Sequence, residues 1–194
     1  MLSHRPRGVT LAQFSAVFAP FGVLLVAALS WPEMTDALNL NRTIATIWAT
    51  TMLLGIALVI YPFRQASEGT NNLASLYWTF ALILFLAHAY WAIFVIFDGV
   101  LDTWKQMGPR IAGINFFLTI WWSLDVLLGW VIARESRWLT WAHIAARAFV
   151  FVVFAATLLF LRGGSARYLG MVFAGMVLLA LMIRVLVSVR SATA

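Results

Sequence analysis

The chain has 194 residues, 63% of them hydrophobic and 10% charged, with a formal net charge of +6. Soluble domains carry about 25% charged residues, so this chain lacks the means to cover itself with a water-facing surface, and lipid is its expected solvent. The basic residues sit at the ends of apolar runs and form no single patch, which argues against nucleic acid as a partner. The absence of cysteine excludes disulfides, thiolate metal sites, iron–sulfur clusters and CxxC redox chemistry.

Six apolar runs follow in chain order, over residues 14–31, 44–63, 73–97, 111–132, 142–161 and 168–189. A membrane-spanning helix takes about 20 residues, within a range of about 17–25. Barrel strands are about ten residues of alternating polarity, which these continuous runs are not. The expected fold is therefore an all-α integral membrane protein, with six transmembrane helices and short loops forming one transmembrane domain over residues 1–194.

The first run has Arg5 and Arg7 in front and Ala28-Leu29-Ser30 behind, the outline of a cleavable signal. It is read as a retained first span. Pro20 lies within it and is expected to bend it. The intervening loops are PEMTDALNLNRT, RQASEGTNN, DGVLDTWKQMGPR, ARESRWLT and RGGSAR, none long enough to separate domains. Gly163-Gly164 suits a tight turn, and no internal repeat relates the first three runs to the last three.

Orientation follows the distribution of Lys and Arg. With the N-terminus in the cytoplasm, the inner segments hold Arg5, Arg7, Arg64, Arg134, Arg137, Arg147, Arg184 and Arg190, against Arg42, Lys105, Arg110, Arg162 and Arg167 outside. This bias gives an N-in, C-in topology, with Glu33, Asp36, Asp98 and Asp102 in the outer loops. The compartment expected is a bacterial-type inner (cytoplasmic) membrane. Trp31, Trp48, Trp78, Trp104, Trp130, Trp138 and Trp141 fall near span ends, where an amphipathic ring is favoured. Trp91, Trp121 and Trp122 fall at membrane depth, as packing residues or as the wall of an aromatic pocket.

Ionisable groups at membrane depth need a partner or a purpose. Asp125 lies about 10 Å inside the fourth run, and Arg147 and Arg184 about 8 Å inside the fifth and sixth from the same side. The fourth and fifth runs are neighbours across a short loop, so Asp125 and Arg147 are expected to pair. His143 stands at i−4 from Arg147, and Ser188 at i+4 from Arg184. This level is either a buried ion pair locking three helices, or a basic pocket for an anionic lipid, a quinone or an acidic metabolite, or a proton relay through Asp125.

His88 is the second polar spot. Counted from Asp98 it lies about 15 Å deep, near the midplane, at the level of Trp121, Trp122, Gly22 and Gly55. It is either a neutral histidine bonded between helices or part of a midplane site. One haem iron cannot take both His88 and His143, which are about 15 Å or more apart along the membrane normal. No clustered His and carboxylate ligands, nucleophile elbow or Walker motif occurs, and Asp98 and Asp102 form only an i, i+4 pair at an outer helix end. No cofactor, metal or catalytic residue is therefore expected.

Three functions follow. The first is a non-catalytic subunit that anchors or stabilises a larger inner-membrane complex, with other membrane subunits or further copies of itself as partners and with lipid or quinone held at the Arg cluster. The second is a small-solute transporter or channel with its site at His88. The third is a membrane enzyme acting on a lipid, for which Asp125, His143 and Arg147 are the available groups.

Overall fold

The computed structural model describes residue 6 and residues 8–30, 37–132, 136–161 and 163–193, the side chains of 191–193 excepted. The expectations for Arg5, Arg7, Trp31, Glu33, Asp36, Arg134 and Arg162 lie outside the described residues. The architecture is all-helical: α1 (Leu11–Ser30), α2 (Leu38–Ile60), α3 (Glu68–Tyr90), α4 (Val100–Met107), α5 (Pro109–Val131), α6 (Arg137–Ala156) and α7 (Ser165–Thr193). Six of them, all but α4, are long and apolar enough to cross a membrane.

Each span begins before its apolar run does, and side-chain caps start three of them. Thr10 and Gln13 form a reciprocal capping box: Thr10 Oγ1 accepts from the Gln13 amide at 3.2 Å, and Gln13 Oε1 accepts from the Thr10 amide at 3.1 Å. Ser67 caps α3 by accepting from the Thr70 amide at 3.0 Å, and Ser136 caps α6 by accepting from the Leu139 amide at 3.1 Å. Pro109 opens α5 behind Gly108, whose φ of +79° suits glycine. Pro20 inside α1 cannot bond the Ala16 carbonyl. The Tyr77 hydroxyl donates to that freed oxygen at 3.5 Å.

Three spans extend beyond the regular α-helix. Tyr61–Phe63 tightens the end of α2 into a 3₁₀ turn at Pro62, and π-helical turns at Trp91–Ile96 and Thr157–Leu161 prolong α3 and α6. The third loop contains the short amphipathic α4. Asp98 lies ahead of this helix at φ +57°, with Gly99 at +120°, and Asp102 lies within it, 3.4 Å from the Lys105 ammonium. The two carboxylates thus flank the first turn of α4, Asp98 just outside the helix and Asp102 within it.

α2 and α3 form the centre. α2 packs on α1, α3, α6 and α7; α3 also meets α1 and α5, and α6 closes onto α5 and α7. One apolar cluster runs through all six spans and includes Val17, Leu53, Leu54, Leu84, Leu118, Trp122, Val150 and Phe173. α2 also carries Thr43, Thr46, Thr50 and Thr51 into this interior. Each hydroxyl donates to a carbonyl one turn earlier, at 2.8–2.9 Å, so these polar atoms are satisfied without leaving the helix.

Candidate functional site

The buried charge gathers where the end of α2, the start of α3, the end of α5 and the start of α6 meet. Asp125, on α5, is 4% exposed. Its Oδ2 accepts from the Trp78 indole N–H of α3 at 2.8 Å and from Arg147 Nη1 of α6 at 3.0 Å. Its Oδ1 lies 2.5 Å from His143 Nδ1, also of α6. One carboxylate thus ties three helices, and both of its oxygens are engaged. Arg147 Nη1 donates in addition to the His143 carbonyl at 3.0 Å, which fixes the guanidinium to its own helix.

Aromatic rings surround this cation. The Arg147 guanidinium carbon lies 4.2 Å from the centroid of the Tyr61 ring and 4.7 Å from that of Trp78. Arg64, just past the 3₁₀ turn, lies over the same Tyr61 ring at 4.1 Å. Cations are attracted to such ring faces, more strongly where water is displaced. The cluster borders a small recess, with room inside for little more than a water molecule, lined by Pro6, Tyr61, Asn71, Ser75, Trp78, Thr79, Asp125, Val126, Gly129, Trp130, His143 and Arg147. Trp130 donates to Thr79 Oγ1 at 2.9 Å, a second tie from α5 to α3.

Of the residues singled out in the sequence, Asp125, His143 and Arg147 come together, including the Asp125–Arg147 pair. Arg184 does not join them: it makes no bond to Asp125 and does not line the recess. Arg64, over the Tyr61 ring, is the second cation near the cluster, although it does not line the recess. Ser188 donates to the Val185 carbonyl at 2.8 Å. Trp78, assigned by spacing to an interface, is 2% exposed and belongs to the site.

His88 lies elsewhere in the bundle, away from this cluster. Its Nδ1 is 2.8 Å from the carbonyl of Thr43, which stands about 8 Å from the start of α2. α3 with its π turn runs from Glu68 to Ile96, about 43 Å and longer than the roughly 30 Å hydrocarbon core. His88 stands about 12 Å from the end of this extended helix. Trp122 stacks at 5.5 Å on Phe85 and packs at a tilt, 4.8 Å away, on Trp78, nearer the middle of α3 than His88 is. Trp121 packs at 5.1–5.2 Å against Phe117 and Phe149. Neither tryptophan lines the recess. Gly55 meets the Phe173 ring of α7 in ordinary contact, while nothing lies within 4 Å of a Cβ placed on Gly22.

His143 and His88 thus lie toward opposite ends of the bundle. Among the described residues, no three His, Asp or Glu side chains converge as a metal site would require. No protein-family model, curated protein or solved structure matches the chain.

Proposed function

We propose that the chain is a non-catalytic subunit of a membrane assembly, lying in a bacterial-type inner membrane with both termini in the cytoplasm. The observation that carries this reading is the saturation of Asp125. Its two oxygens take three donors from α3 and α6, so the buried charge serves to hold helices together. α7 supports the second half of the reading. Leu181, Met182, Ile183, Val185, Leu186, Val187 and Val189 are all exposed, and together they cover every face of its last turns. Such a helix end is matched by lipid or by an apolar partner helix.

Purification from native membranes in mild detergent, followed by mass spectrometry, tests the proposal. A partner chain at fixed stoichiometry is expected. A lone chain that carries a solute across liposomes by itself refutes it.

One observation favours a second reading, a membrane enzyme acting on a lipid. Asp125 holds His143 Nδ1, an arrangement that orients an imidazole for proton transfer at its other nitrogen, and Ser75 lines the same recess. Turnover lost in Asp125→Asn with the fold retained would identify it.

A further inference from the structure

The Tyr61 hydroxyl is buried and has no hydrogen-bond partner among the described residues. Buried hydroxyls are costly to leave unpaired, so each calls for an explanation. Tyr61 lines the recess, and so does Arg147. The bonds of Arg147 run from Nη1 alone. A guanidinium has five N–H donors, so Nε and Nη2 have no protein acceptor among the described residues. Arg64 brings a second positive charge over the same ring. Among the described residues Asp125 supplies the one negative charge in the lining, and its oxygens already accept hydrogen bonds. This corner offers unspent donors and positive charge to a ligand that accepts through several oxygens.

We infer that the Tyr61–Arg64–Arg147 corner binds a phosphate oxyanion, carried by the headgroup of an anionic lipid or free in solution. Its location suits the lipid. Tyr61 stands where α2 gives way to the loop leading to α3, the depth at which headgroup phosphates lie. The recess itself holds little more than a water molecule, so the phosphate would sit at its mouth. Basic pockets between spans bind such headgroups through charge and directed N–H bonds. The inference deepens the proposed reading by naming a ligand class, and it is tested on the isolated chain, whether or not a partner copurifies.

The experiment titrates the full-length chain in neutral detergent with dihexanoyl phosphatidylglycerol, dihexanoyl phosphatidylcholine and inorganic phosphate, with calorimetric detection. Phosphatidylglycerol is expected to bind more tightly than phosphatidylcholine, with an affinity that falls as salt rises. Tyr61→Phe removes the hydroxyl and keeps the ring, and is expected to weaken phosphatidylglycerol binding about tenfold. Without lipid, the same variant should melt no lower than the parent. Arg64→Ala, outside the Asp125 cluster, should weaken binding severalfold. Inorganic phosphate binding with the same dependence on Tyr61 assigns the site to the free anion; no phosphate binding assigns it to the lipid. Equal affinity for the two lipids, or unchanged affinity in Tyr61→Phe, overturns the inference.

Discussion

Asp125→Asn and Arg147→Ala should not cost the same, although they break the same ion pair. In Arg147→Ala the carboxylate keeps two donors, the Trp78 indole at 2.8 Å and the His143 ring at 2.5 Å. In Asp125→Asn the guanidinium keeps the His143 carbonyl and two ring faces but no opposite charge. The new amide nitrogen must also face at least one donor of the original set. Arg147 is 12% exposed at its side chain, so little water replaces the lost partner. Two charges about 4 Å apart interact by about 4 kcal/mol at an effective dielectric constant near 20. Orphaning a buried charge costs about 3–5 kcal/mol. We expect about 3–4 kcal/mol for Asp125→Asn and about 2 kcal/mol for Arg147→Ala, where bonded donors remain. The double variant should fall short of the sum by about 1–3 kcal/mol. Reversible unfolding in mixed micelles, followed by tryptophan fluorescence, measures all three. An additive double variant, or Arg147→Ala costlier than Asp125→Asn, refutes the reasoning.

Further perturbations probe other contacts. Trp78→Phe keeps an aromatic face for Arg147 but loses the indole bond to Asp125, and should cost about 1.5–3 kcal/mol in the same assay. Gly170→Ala would place a Cβ 2.7 Å from the Leu158 Cβ and 3.2 Å from its backbone carbon, against the π turn that ends α6. It should lower stability by about 1–3 kcal/mol, whereas Gly175→Ala, with nothing within 4 Å, should be tolerated; melting temperatures compare the two. Phe173→Ala removes a ring that is 1% exposed at the junction of α2, α6 and α7, and should cost about 3–5 kcal/mol by chemical unfolding.

The six spans were legible because the hydrocarbon core imposes a length that the apolar runs meet. Their ends were less so. Thr10, Ser67 and Ser136 start helices through side-chain bonds, and such residues lie outside any hydrophobic count. α4 was missed because eight residues leave too short a periodicity between Gly99 and Gly108. At the site, Asp125 and Arg147 could be matched by depth, since each carries a charge that membrane depth makes conspicuous. Trp78 carries no such mark: its indole suits an interface as well as a buried carboxylate. Tyr61 and Arg64 escaped for a related reason. They stand at a span end, where Tyr and Arg are expected as anchors, and only the packing of α2 against α6 brings the Tyr61 ring to Arg147. The threonines of α2 are likewise quiet in sequence, because each satisfies itself within its own helix.

Since the chain has no cysteine, single cysteines can be placed along α7 and linked to a photoactivatable probe in native membranes. Met182→Cys, Leu186→Cys and Val189→Cys sample different faces of its exposed end. Discrete adducts between this chain and a partner protein, from at least one of these positions, are what membership of a membrane assembly predicts. Labelling of lipid alone from all three would contradict it.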